Sequence, residues 1–121
     1  MDTEGIDNAI GVHLLWKSRL QQAIVTGRLD VSVGDVASFT ACSFGKWLYG
    51  STVTPAMKNN TYYNSIKELH AEFHRIAAQV AKLALAGKKE DAKMLMAPQG
   101  EYATISRRLT DILVEWKESL P

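Results

Sequence analysis

Two of the chain's three histidines, His70 and His74, stand four residues apart in a run whose apolar residues recur at helical spacing. On a helix this places both side chains on one face, about 5–6 Å apart. The face is the apolar one, because Ile66, Phe73 and Ala77 share it. The third histidine, His13, falls between Ile10 and Leu14, on the core-facing stripe of another amphipathic segment. A small core that takes in two or three imidazoles must give each polar nitrogen a partner, since an unpaired buried polar group is costly. A divalent cation meets several such nitrogens at once. Neutral imidazole and thiolate are both good Zn²⁺ ligands, and four of them complete a tetrahedron. The chain has one cysteine, Cys42, to set beside the three histidines. A histidine in an apolar stripe is more often an ordinary hydrogen-bonded core residue, and spacing alone leaves that alternative open.

The same periodicity lays out the rest of the chain. A first helix is expected over about Thr3 to Val25, carrying Ile6, Ile10, Leu14, Leu20 and Ile24, with Gly27 as the residue that ends it. Leu29 to Phe39 has no sustained period and reads as a loop with room for a short helical turn. Cys42 to Gly50 predicts a short helix stopped at Gly50, and Thr54-Pro55 predicts an N-cap followed by proline at the first helical position. A long helix follows from about Tyr62 to Ala86, with Ile66, Leu69, Phe73, Ile76, Val80 and Leu83 on one side and Gly87 at its end. Lys88 to Met96 opens the last helix, in which Met94 and Met96 read as core filler. Pro98 and Gly100 interrupt it before Ile105, Leu109, Ile112, Leu113 and Trp116 resume the pattern. Alternating runs bracketed by tight-turn dipeptides are absent, as are internal repeats and linkers. The expected fold is all-α: an antiparallel four-helix bundle with an additional short helix carrying the Cys ligand, in one domain over residues 1–121.

Composition narrows the function classes. With 14 basic and 13 acidic residues the net charge is +1, and no basic cluster is interleaved with aromatics, so nucleic acid is not an expected partner. No apolar run reaches the roughly 18 residues of a bilayer span. The acidic start Met1-Asp2-Thr3-Glu4 lacks the pattern of a signal peptide. The chain is therefore expected to be cytoplasmic, with no membrane contact.

Cys42 has no second cysteine to pair with, so it is a metal ligand, a reactive thiol or a small buried hydrophobe. If a short helix starts near Ser43, its free N–H groups favour the thiolate, and Lys46 one turn on adds to this if its side chain folds back. Gly45 reads as a close-packing position, with Phe44 and Trp47 as core anchors. Catalytic zinc normally keeps an open position, whereas four ligands close the shell. Glu72 is no zincin base, because the motif here is His-Ala-Glu-Phe-His, and a residue two from each histidine points away from the metal face. A di-iron centre needs more histidines or several core-facing carboxylates, typically as Glu-x-x-His pairs, and the sequence has no such pair. An enzyme is therefore not expected.

Three blocks resemble one known family, the chemoreceptor zinc-binding (CZB) domain. They are His13-Leu14-Leu15-Trp16, then Cys42-Ser43-Phe44-Gly45-Lys46-Trp47, then His70-Ala71-Glu72-Phe73-His74, similar in order and separation to the family's H-x-x-W, C-x-x-G-x-W and H-x-x-x-H blocks. The resemblance runs from about Ile6 to Val80. It implies a four-helix bundle, commonly a homodimer, with one zinc held by His13, Cys42, His70 and His74. Trp16, Gly45, Lys46 and Trp47 are the supporting positions of those blocks. It further implies a sensory module of bacterial signalling, working with a chemoreceptor or a diguanylate cyclase in cis or in trans. The signal it implies is zinc availability or an oxidant such as hypochlorous acid, with zinc-bound Cys42 as the redox-reactive group. A zinc that only holds together a protein–protein adaptor would use the same ligands. No output domain is recognisable in these residues.

Overall fold

The computed structural model describes residues 4–38, 43–50, 53–59 and 61–119. Among them are α1 (Glu4–Thr26), α2 (Val33–Ala37), α3 (Ser43–Leu48), α4 (Pro55–Lys58), α5 (Thr61–Leu85), α6 (Lys89–Met96) and α7 (Glu101–Ser119), and no strand.

The long helices form where apolar residues recur every three or four positions. On α7, Tyr102, Ile105, Leu109, Leu113 and Trp116 make one fully buried stripe. On α5 the buried face is wider, from Tyr63 and Ile66 through Phe73 and Ile76 to Val80 and Ala84, because this helix packs against α1, α2, α6 and α7 at once. Both α1 and α5 stop at glycines in the left-handed region, Gly27 at φ 71° and Gly87 at φ 77°. After α5 the chain makes a complete Schellman turn: the Gly87 N–H donates to the Ala84 carbonyl (3.2 Å) and the Lys88 N–H to the Leu83 carbonyl (2.9 Å). The Gly27 N–H donates to the Ala23 carbonyl (2.8 Å), the simpler left-handed cap.

Pairings between elements fix the directions. Asp7 near the start of α1 meets Lys117 near the end of α7 (2.8 Å), and Lys89 at the start of α6 donates to the Val25 carbonyl near the end of α1 (3.2 Å). Tyr63 on α5 stacks near Trp116 on α7, and Phe73 near Tyr102, so α5 and α7 are antiparallel. Val36 lies beside His74, and the Leu48 carbonyl accepts from the Tyr63 hydroxyl (3.0 Å), so the α2–α3 stretch runs opposite to α5. The architecture is thus the expected four-legged bundle, with α1 and α5 as continuous legs. The second leg is built of short helices, and the fourth is broken between α6 and α7.

That break falls at Pro98–Gly100, as the sequence suggests. A Cβ at Gly100 would collide with the Met94 and Leu95 carbonyls, so only glycine permits this turn. Two side chains depart from expectation. Leu14 is 54% exposed, because the buried stripe of α1 runs through Ile6, Ala9, His13, Leu20 and Ala23 and leaves Leu14 on the outer face. Met94 is 70% exposed rather than core filler, whereas Met96 packs against the core. The loop read over Leu29 to Phe39 contains a true helix, α2.

Candidate metal centre

His13, His70 and His74 converge. α1 presents His13 and α5 presents the other two, and all three are at most 2% exposed. One ligand-capable atom from each lies within 4.8 Å of the others. The Nε2 atoms of His70 and His74 are 3.1 Å apart. Around them Phe73 sets its edge against His13 (4.6 Å between centroids) and His74 (5.7 Å), walling the cluster from the α7 side, where Tyr102 stacks beyond it.

Two backbone carbonyls set the tautomers. His13 Nδ1 lies 2.6 Å from the Ala9 carbonyl, one turn earlier on α1. His74 Nδ1 lies 2.7 Å from the Val36 carbonyl on α2. A carbonyl oxygen can only accept, so in each neutral ring Nδ1 carries the hydrogen and Nε2 keeps its lone pair. A ring nitrogen tied to a backbone carbonyl while the other is left to ligate is the usual second-shell arrangement of metal-binding histidine. At the close contact His74 Nε2 is the acceptor, so His70 Nε2 carries the hydrogen between them.

Burial keeps the rings neutral. It pulls His13 down to about 4 from its ordinary 6.5, against an opposing contribution from the Ala9 bond, with His74 pushing further down. Burial likewise brings His70 to about 3, with His74 and His13 adding to the effect. His74 is lowered too, by burial, with the Val36 bond opposing. Neutral imidazole is the form that binds metal. In tetrahedral zinc geometry ligand nitrogens sit roughly 3.3 Å apart, close to the His70–His74 separation; the hydrogen on His70 Nε2 must shift to Nδ1 for that nitrogen to ligate. The three histidines therefore fit a zinc ion, and a fourth donor would close the tetrahedron.

Cys42, proposed from sequence as that donor, lies outside the described residues. The next residue, Ser43, opens α3, which packs against α1, the helix of His13. Gly45 is buried, Trp47 is partly buried near Trp116 (5.8 Å), and Lys46 is exposed. Trp16 packs against the edge of the core with the Arg19 guanidinium over its ring (4.2 Å). Glu72 turns outward into a two-pronged ion pair with Arg75, away from the histidines. The carbonyls of Ala9 and Val36 are the site components missed from sequence. Main-chain acceptors leave no residue-type signature, although Ser32-x-x-Asp35 does mark a capping box just before Val36.

A family model described as the chemoreceptor zinc-binding domain matches residues 13–81. Its span takes in all three histidines and Cys42. The comparisons with curated proteins and with solved structures return no match.

Proposed function

The chain belongs to the chemoreceptor zinc-binding domain family, and on that premise we propose that this zinc-binding signalling module senses oxidants through a zinc-bound cysteine. The ligands are His13, Cys42, His70 and His74. The observation that carries the reading is the convergence of three buried, neutral imidazoles with two Nε2 lone pairs already set by backbone bonds. Zinc, when bound, supplies a Lewis acid that keeps the cysteine as thiolate at neutral pH.

The chain's own residues do the rest. Cys42 is the nucleophile: its sulfur takes the oxygen of hypochlorous acid, giving cysteine sulfenic acid and releasing chloride. The sulfur is oxidised by two electrons and the chlorine reduced by two. A sulfenic acid is a poorer donor than a thiolate, so the tie between the α2–α3 leg and the histidines of α1 and α5 weakens. The module acts as a switch rather than an enzyme, in the cytoplasm, with a chemoreceptor or diguanylate cyclase as its output. It works as a homodimer, supported by Leu14 and Val25, which are exposed on one outer face of α1.

Elemental analysis of untagged native protein and of Cys42→Ala tests the site. One zinc per native chain, with weaker retention in the variant, is the expected result. Hypochlorous acid should then release zinc as the native chain gains one oxygen on Cys42. Zinc retained after Cys42 has been oxidised would overturn the redox reading while leaving the metal site standing.

A further inference from the structure

The two histidine–carbonyl bonds differ in kind. Ala9 precedes His13 by one turn on the same helix, so α1 carries that acceptor with it. Val36 is 38 positions from His74, on a helix of five residues. A helix that short does not persist in water by itself and depends on its caps and packing. The caps of α2 are explicit. Ser32 Oγ accepts from the Asp35 N–H (3.1 Å), and the Asp35 carboxylate accepts from the Ser32 N–H (3.4 Å). The Val36 N–H donates to the Ser32 carbonyl (3.1 Å), and the Val36 side chain is fully buried.

We propose that Ser32 and Asp35 are positioning residues for zinc binding: by capping α2 they fix the Val36 carbonyl that orients His74. The proposal rests on the zinc reading above. Both residues are exposed, and among the described residues their side chains bond only to each other's backbone N–H, so their influence on the metal passes through Val36. With α2 docked, His74 Nδ1–H is engaged and Nε2 faces His70. With α2 undocked, the acceptor leaves and the ring is free to turn or to exchange tautomer. Zinc binding and α2 docking therefore strengthen each other by the same factor. Val36 also lies six positions before Cys42 in the sequence. One segment thus supplies both an acceptor to His74 and the proposed fourth ligand.

The test is zinc affinity, measured by competition with a chromophoric chelator, for native protein, Ser32→Ala/Asp35→Ala and Ser32→Asp. The double variant should bind about tenfold more weakly, the low end for loss of an outer-shell partner. Ser32→Asp keeps a capping oxygen and should stay within about twofold of native. In native protein, zinc should slow hydrogen exchange at the Val36 amide, and this slowing should shrink in the double variant. If the double variant fails to fold by circular dichroism, Ser32→Ala alone carries the comparison. A double variant that binds within twofold of native, and whose unfolding midpoint zinc raises as much as native's, would show that the caps support only the fold. Native protein that takes up no zinc would instead overturn the zinc reading, and this inference with it.

Discussion

The metal-free domain should lose stability steeply as pH falls, and the size of the effect can be worked from its buried rings. In the unfolded chain each histidine titrates at its ordinary 6.5, whereas in the fold His13 is held at about 4 and His70 at about 3. Below 6.5 the unfolded state therefore binds more protons than the native one, and stability falls as pH falls. It is complete above 6.5 and is lost progressively down through 4 and 3. Between pH 7 and pH 5 each of these two histidines costs about 2 kcal/mol, roughly 4 kcal/mol together. His74, shifted the same way, adds to the loss. A domain of this size has only ~5–15 kcal/mol in total, so this loss is a large share of what holds the metal-free fold together. Asp30 and Glu72 are also lowered, by their bonds to Arg19 and Arg75, but their ordinary values are 3.8 and 4.5, so they contribute mainly below this window. Urea unfolding of chelator-treated protein at half-unit steps from pH 7.5 to 5, followed by circular dichroism, gives the slope directly. A midpoint that does not move across this range would mean the rings charge without leaving the fold, and the argument from burial would be wrong.

Three further outcomes follow from single features. Tyr102→Phe should leave stability unchanged or raise it by up to about 1 kcal/mol, because the Tyr102 hydroxyl is buried with no hydrogen-bond partner among the described residues; thermal melts will show whether it falls instead. Gly87→Ala, at φ 77°, should cost about 1–2 kcal/mol by forcing a side chain into the left-handed region that ends α5, read as a lowered urea midpoint with unchanged zinc content. Lys117→Ala removes an ion pair whose two side chains are 41% and 53% exposed, and should cost less than about 1 kcal/mol, a loss that shrinks further when measured in high salt.

How much of this was legible depends on where the free energy sits. The stripes of α5 and α7 are made of large apolar residues at regular spacing, so the bounds of α5 follow from the sequence to within a residue and most of the buried stripe of α7 is visible there. The buried face of α1 is harder to see, because Ala9 and His13 occupy positions where hydropathy points to Leu14 instead. Helix α2 is too short for any period to register, and its signature is the Ser32–Asp35 capping box. The histidine cluster was legible because polar rings at apolar positions demand a partner. The Ala9 and Val36 carbonyls were not, since any residue can supply a carbonyl and only the fold says which one arrives. The role of Cys42 rests on its sequence block alone.

The Asp7–Lys117 pair has a consequence for chain topology. It holds the beginning of the first leg against the end of the last. The start of α1 and the end of α7 therefore lie side by side, and the entropic cost of closing the long loop between them is already met by folding. A short bridge between them, with new ends opened at the glycine turn between α5 and α6, would yield a circular permutant with every leg intact. Equally, a host protein could splice the bundle into one of its surface loops with little spreading of the two strands of chain that enter and leave it.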